Sequence, residues 1–240
     1  MKNPSGKEII YFHEWKKYGV EAGVTTKSFG VFIQKADDLN LAYTKKKLAR
    51  ALLPGGHFVY LQQVHGGRVG VLQSKHQGFQ RLKQTDGVIT NVPGLTLLAL
   101  TADCLSIYFM APGWVGVVHA GWRGTRQKIA QTAVKLLMKK SKCAPSELRV
   151  IFGPSICGKH YEVGEEFKKY FSKSSLTMRK GKYYLDLIQE NRRQILRERV
   201  LLKNISNTTL CTISQNKSFY SFRKEKDAAG RMISFIRLDA

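Results

Sequence analysis

The chain is punctuated by short apolar runs, each closed by glycine, proline or a polar turn, and runs of that length suit buried strands better than long helices. They span Phe58 to Gln63, Gly67 to Leu72, Leu95 to Leu100, Trp114 to Val118, and Leu148 to Phe152 with Pro154 as its stop. The Val64-His65-Gly66 turn separates the first two. Between the runs lie stretches of helical period. Thr125 to Lys140 places Ile129, Ala133, Leu136 and Leu137 on one face, with Thr125 as the expected N-cap. The segment after Asp186 pairs that cap with Gln189 and lines up Leu187, Ile188, Ile195 and Leu196, and a shorter helix is expected over Thr44 to Leu53. Strands interleaved with helices give a mixed α/β fold whose sheets are shielded by helices.

The 240 residues can bury a full core, and no repeat or low-complexity linker marks a boundary, so one domain over residues 1–240 is expected. Hydrophobic residues at 43% and charged residues at 24% exclude a disordered chain. No apolar run approaches the roughly 18 to 20 residues needed to cross a bilayer. Glu8, His13 and Glu14 break the N-terminal stretch before any signal-peptide centre forms, so no membrane contact and a cytoplasmic location are expected. Cys104, Cys143, Cys157 and Cys211 are far apart and form no CxxC pair, which reads as thiols rather than a disulfide framework. The formal charge of +23 is spread along the chain in short clusters. It therefore reads as a solvated basic surface rather than a specific nucleic-acid interface.

Three segments join apolar runs to reactive side chains: Leu61 to Gly66 carrying His65, Leu100 to Cys104 carrying Asp103 and Cys104, and Val117 to Gly124 carrying His119 and Arg123. Loops held by a rigid sheet are where α/β folds place their chemistry. A Cys104 thiolate with neutral His65 and His119 is a ligand set that zinc accepts, and three protein ligands leave a fourth position open for catalysis. Asp103, beside Cys104, is the candidate proton carrier. Copper is the alternative occupant in vitro, because it binds most nitrogen and sulfur sets more tightly than zinc.

The strings QQVHGG at 62–67, TDGVIT at 85–90, TADCLSIYF at 101–109, HAGWRG at 119–124, FGPSICGKHYEVG at 152–164 and FYSFRKEKDAAGRMISFI at 219–236 resemble the YfiH-like family, first named for multicopper polyphenol oxidases or laccase domains. The resemblance implies a single-domain α-β-β-α sandwich and a zinc held by His65, Cys104 and His119. It also implies phosphorolysis of adenosine, guanosine or inosine, methylthioadenosine cleavage, and adenosine deamination; some members are linked to editing of peptidoglycan precursors. A multicopper oxidase needs many paired histidines, and this chain has six in all. Within that resemblance, Arg123 and Arg223 are candidates to grip phosphate with two parallel hydrogen bonds. Lys27 stands where family members carry arginine, which removes a two-pronged donor, and Ser221-Phe222-Arg223-Lys224 replaces a tyrosine and an arginine.

Two other classes of function use the same residues differently. One makes Cys104 a nucleophile activated by His119, in a cysteine hydrolase or amidase acting on a peptidoglycan-type amide. The other makes the chain a basic nucleic-acid-binding protein without catalysis. Purine nucleosides and phosphate are the expected partners under the first reading; the preferred nucleoside and the oligomeric state are left open by the sequence.

Overall fold

A computed structural model of the chain describes residues 6–30, 41–52, 56–74 and 77–240. Two six-stranded sheets make up its body. In spatial order the first runs Ile9–Tyr11, Val20–Thr25, Met232–Leu238, Leu95–Thr101, His57–Leu61 and Phe79–Leu82. The second runs Ile205–Asn207, Arg149–Phe152, Leu105–Ala111, Trp114–Ala120, Gly87–Thr90 and Val69–Leu72. Both are mixed: Leu95–Thr101 is parallel to His57–Leu61 but antiparallel to Met232–Leu238, and Gly87–Thr90 is parallel to Val69–Leu72 but antiparallel to Trp114–Ala120. A smaller sheet orders Glu162–Val163, Lys182–Leu185 and Leu176–Arg179.

Side-chain alternation along the strands builds the layers. Leu97 and Ala99 join Val20, Val24, Tyr108, Met110, Val115 and Val117 in one core, which therefore lies between the two large sheets. Leu98 and Leu100 turn the other way, onto Phe29, Phe58, Phe235 and Leu48 of the helix Leu41–Leu52. Ile107, Phe109 and Val118 pack instead against Ile129, Ala133, Val134 and Leu137 of the helix Ile129–Ser141, and Leu187 and Ile195 of the helix Leu187–Arg197. The order is helix, sheet, sheet, helix. Because each central strand is covered on both faces, its apolar residues run consecutively rather than at every second position, with isolated buried exceptions such as Thr96, Ser106 and Ser234. The Tyr108 hydroxyl crosses between the sheets and donates to the Gly23 carbonyl at 2.9 Å, so this buried polar atom is satisfied.

The expected elements are present with altered limits. The strands expected over Phe58 to Gln63 and Gly67 to Leu72 are His57–Leu61 and Val69–Leu72, and the turn between them carries the chain from one sheet to the other. The shorter helix begins at Leu41; Leu53, its expected end, lies outside the described residues. The helix expected over Thr125 to Lys140 is two helices, Trp122–Arg126 and Ile129–Ser141, and Thr125 is interior to the first rather than an N-cap. Its carbonyl accepts from Lys128 N in a tight turn and from Gln194 Nε2 at 2.9 Å, and its hydroxyl accepts from Asn191 Nδ2 at 3.0 Å. Those bonds replace a continuing helical ladder, and Lys128 turns left-handed at φ 60. The Asp186 cap is as expected: its carboxylate accepts from Gln189 N at 2.9 Å.

Glu190, on the same helix and 2% exposed, accepts from Ser172 Oγ, Ser175 Oγ, Gln194 Nε2 and both Nε and Nη2 of Arg193. Burial alone would raise its pKa, but these donors outweigh burial and hold the carboxyl below its ordinary value. A depressed carboxyl stabilises the fold above its unfolded pKa of about 4.3, and that contribution disappears as pH falls through the folded value. Glu190→Gln should therefore destabilise the protein by about 1.5 to 3 kcal/mol at pH 7. In urea titrations the difference should narrow below about pH 4; a gap constant to pH 3 would show that the charge contributes nothing.

Candidate metal centre

His65 and Cys104 lie on two crossings between the sheets. The chain leaves the first sheet at Leu61 and enters the second at Val69, with His65 between; it leaves again at Thr101 and enters at Leu105, with Cys104 between. Because His57–Leu61 and Leu95–Thr101 are parallel neighbours, both crossings depart from the same end. Gln63 ties them together: its Nε2 donates to Leu100 O and its Oε1 accepts from Leu100 N, both at 2.7 Å. His119 arrives on Trp114–Ala120, paired opposite Ser106 and so close to Cys104. One ligand atom from each of His65, Cys104 and His119 lies within 4.8 Å of the other two, the spacing of donors that share one ion. His65 is exposed, Cys104 half-buried and His119 buried, so the cluster opens to solvent on the His65 side.

Asp86 organises this cluster. It is fully buried at the start of Gly87–Thr90, and its carboxylate accepts from His119 Nδ1 at 2.9 Å and from the backbone N–H groups of Val64, His65 and Gly66 at 3.1, 2.9 and 2.7 Å. Three successive amides gathered on one carboxylate hold His65 in a left-handed conformation, φ 59, that a non-glycine residue adopts at a cost of about 1 to 3 kcal/mol. The bond to Nδ1 leaves Nε2 of His119 free to ligate. Burial opposes charge on Asp86, yet the bond to His119, its positive charge and the amides lower its pKa.

The same charges act on the thiol. Burial alone would raise the Cys104 pKa, but the His119 charge and hydrogen bonds from His119 and His65 bring it down to about 6. For His119, burial opposes protonation and the Cys104 and Asp86 charges outweigh it, raising its pKa. A thiolate facing an imidazole is the state in which both groups can accept a divalent cation in place of the shared proton. Gly121 leaves room for it: a Cβ there would lie 2.9 Å from Cys104 Sγ and 3.2 Å from His65 Cδ2. The residues fit a small divalent metal.

The remaining polar residues of this region divide into those near the cluster and those engaged elsewhere. Tyr161 is close enough to Cys104 that burial and the thiolate both raise its pKa, with Arg223 and Arg123 opposing and Asp103 reinforcing. The Arg223 guanidinium lies 5.2 Å from the Tyr161 ring centre, and its Nη1 donates to Glu162 O at 2.9 Å. Arg123 is exposed, its guanidinium 4.5 Å from the Trp122 ring centre. Asp103 spends both carboxylate oxygens on bracing, accepting from Thr212 Oγ1 and from Arg223 N at 2.6 Å each. Lys27 is paired with Glu225 at 2.6 Å, which itself accepts from Ser221 N and Asn216 Nδ2. Asp86, Gln63 and Arg231 were not anticipated as site residues. Arg231 is partly buried, with its Nη1 donating to Ala229 O at 2.7 Å and Gly230 O at 3.0 Å; burial lowers its pKa while the charges of Cys104 and Asp103 act against that. Asp86 had one signal, an acid opening the strand in Thr85-Asp86-Gly87.

Residues 16–239 match the family model described as multi-copper polyphenol oxidoreductase laccase. The chain belongs to this laccase-named family. It is 30% identical, over 98% of its own length and 90% of the relative's, to a Bacillus subtilis (strain 168) protein named purine nucleoside phosphorylase YlmD. Its fold is similar to the crystal structure of YlmD from Geobacillus stearothermophilus, with a TM-score of 0.83, 30% identity, and 92% and 93% of the two chains covered. It is also similar to that of a Bacillus licheniformis hypothetical protein YfiH, with a TM-score of 0.86, 28% identity and 98% of both chains covered. The family's naming thus joins an oxidase label to relatives named for phosphorolysis. One thiolate and two imidazoles around a small ion suit Lewis-acid chemistry without demanding redox. Among the described residues, no helix is long and apolar enough to cross a membrane.

Proposed function

We propose that the chain is a zinc-dependent purine nucleoside enzyme. It cleaves adenosine, inosine, guanosine and methylthioadenosine with phosphate, and it deaminates adenosine to inosine. The observation that carries this reading is the Asp86-braced His65–Cys104–His119 cluster, open on one side, with Arg223 tied through its backbone N–H to Asp103, the neighbour of Cys104, its guanidinium over Tyr161, and with Arg123 four residues past His119. When bound, zinc supplies Lewis acidity and lowers the pKa of water toward 7, which provides the nucleophile that deamination of an adenine ring requires.

In phosphorolysis a phosphate oxygen bonds to C1′ of the ribose as the bond from C1′ to the base nitrogen breaks; the electron pair leaves with the base, which takes up a proton. The attacking group is a dianion, and arginine forks hold it by charge-assisted hydrogen bonds. Arg123 fits that task best, since its guanidinium is exposed and rests on a tryptophan face rather than on a carboxylate. Tyr161 stays a neutral phenol at physiological pH and is placed to stack on the purine or donate a hydrogen bond to the departing base. Asp103 keeps Cys104 and Arg223 in register through its two bonds, with any proton transfer secondary to that.

Arg123→Ala separates the two activities. With adenosine as substrate, adenine release in phosphate buffer should fall by about 1 to 3 kcal/mol of transition-state stabilisation more than inosine formation does. Equal losses with metal content intact would assign Arg123 to bracing the His119 loop instead. A second reading is favoured by one observation, the lowered Cys104 pKa: the thiolate would be the nucleophile of an amidase with His119 as its acid and base. Chelation separates the two, abolishing activity in the first and relieving the thiolate in the second.

A further inference from the structure

A second group of metal-type donors lies outside the cluster above: Cys157, His160 and Cys211, whose ligand atoms also all fall within 4.8 Å of one another. Cys157 and His160 are brought together by a single turn, in which His160 N and Tyr161 N both donate to Cys157 O, at 2.9 and 3.1 Å. Cys211 comes from a distant segment, joined to the same loop by the parallel bridge between Ser155 and Cys211 and by Cys157 N donating to Cys211 Sγ at 3.4 Å. His160 Nδ1 stands 3.4 Å from Cys157 Sγ and 3.5 Å from Cys211 Sγ. Zinc bonds of about 2.3 Å to sulfur and about 2.05 Å to nitrogen at a tetrahedral angle dictate a nitrogen-to-sulfur separation of about 3.5 Å.

We propose that Cys157, His160 and Cys211 form a second site for a thiophilic divalent cation of the zinc type, held by two thiolates and one imidazole with its remaining position facing solvent. The two sulfurs border a cleft of about 510 Å³ that also contains Lys159, Arg179 and Asp186, which gives the ion an entry path. Two thiolates neutralise a divalent ion, so the nearby cations of Lys159 and Arg179 face an uncharged centre and do not repel it. The site ties the turn at 157–160 to the segment around Cys211. Each of those carries a neighbour that leads to the first cluster: Tyr161 follows His160 and packs under Arg223, whose N–H donates to Asp103 beside Cys104, and Thr212 follows Cys211 and donates to Asp103. The ion therefore clamps two walls of the first site without belonging to it, and the inference does not depend on which reaction the first site performs.

Full-length protein stripped with chelator and titrated with zinc tests this, with elemental analysis after desalting and cobalt as an optical probe. Wild type should bind two ions per chain and Cys104→Ala one, while Cys104→Ala combined with Cys211→Ser should bind none. The Cys104→Ala protein should retain the intense ultraviolet absorption of thiolate-bound cobalt and lose it on adding Cys157→Ser. His65→Ala, at an exposed position, silences the first site if Cys104→Ala folds poorly, and His160→Ala weakens the second with little risk to the fold. Adding His160→Ala should lower zinc affinity at least tenfold. The proposal is overturned if folded Cys104→Ala and His65→Ala proteins bind no zinc, if His160→Ala changes nothing in those backgrounds, or if thiol titration finds Cys157 and Cys211 oxidised to a disulfide in metal-free protein.

Discussion

Asp86→Ala should be among the most damaging single substitutions in this chain, lowering stability by about 3 to 5 kcal/mol and metal affinity at the first site by about 10- to 100-fold. Its carboxylate is buried and accepts four hydrogen bonds. Removing it strands the amides of Val64, His65 and Gly66, leaves His65 in a left-handed conformation without its anchor, and frees His119 to ligate or donate through either nitrogen. Asp86→Asn tests the electrostatic part alone. The amide nearly preserves shape, but one end now presents N–H groups to donors, so zinc affinity should still fall while the unfolding midpoint falls less. Competition titration with a zinc chelator and thermal unfolding read the two effects separately. Unchanged zinc affinity in Asp86→Asn would reduce this carboxylate to a loop anchor.

Cys104→Ala should remove the ion from the first site and depress both phosphorolysis and deamination by at least about a thousandfold, the several kcal/mol that a bound Lewis acid contributes. The thiolate is the only anionic donor of the three, so His65 and His119 alone form a weak neutral pair. Loss of the thiolate also removes the larger of the two charges that raise the His119 pKa, leaving Asp86 as its remaining partner. Metal content and turnover should be measured on the same preparation. Turnover that persists in Cys104→Ala after its first-site metal is gone would detach the chemistry from this cluster.

The positions of His65, Cys104 and His119 were legible because each follows apolar sequence with a glycine or aspartate within two residues, and the sheets themselves because strands covered on both faces carry consecutive apolar residues. What joins them was not. That Phe58 to Gln63 and Gly67 to Leu72 belong to different sheets depends on Leu95–Thr101 and Gly87–Thr90 pairing alongside, a long-range choice that local periodicity does not encode. Asp86 reads as an ordinary turn acid until its four donors are assembled around it. The break after Arg126 arises from the bonds that Asn191 and Gln194 of another helix make to Thr125, while the residues from 125 to 140 have helical character on both sides of it. Cys157 and Cys211 read as unrelated thiols, since they are 54 residues apart.

The most direct measurement uses inosine, which is already deaminated and so isolates phosphorolysis. Zinc-loaded protein is incubated with inosine in phosphate-containing and phosphate-free buffer, and the products are resolved by chromatography. Hypoxanthine should appear only with phosphate, in step with an equal amount of ribose 1-phosphate, and Cys104→Ala should release neither. Hypoxanthine released at the same rate without phosphate, or inosine left intact by zinc-loaded protein under both conditions, would contradict a purine nucleoside phosphorylase built on His65, Cys104 and His119.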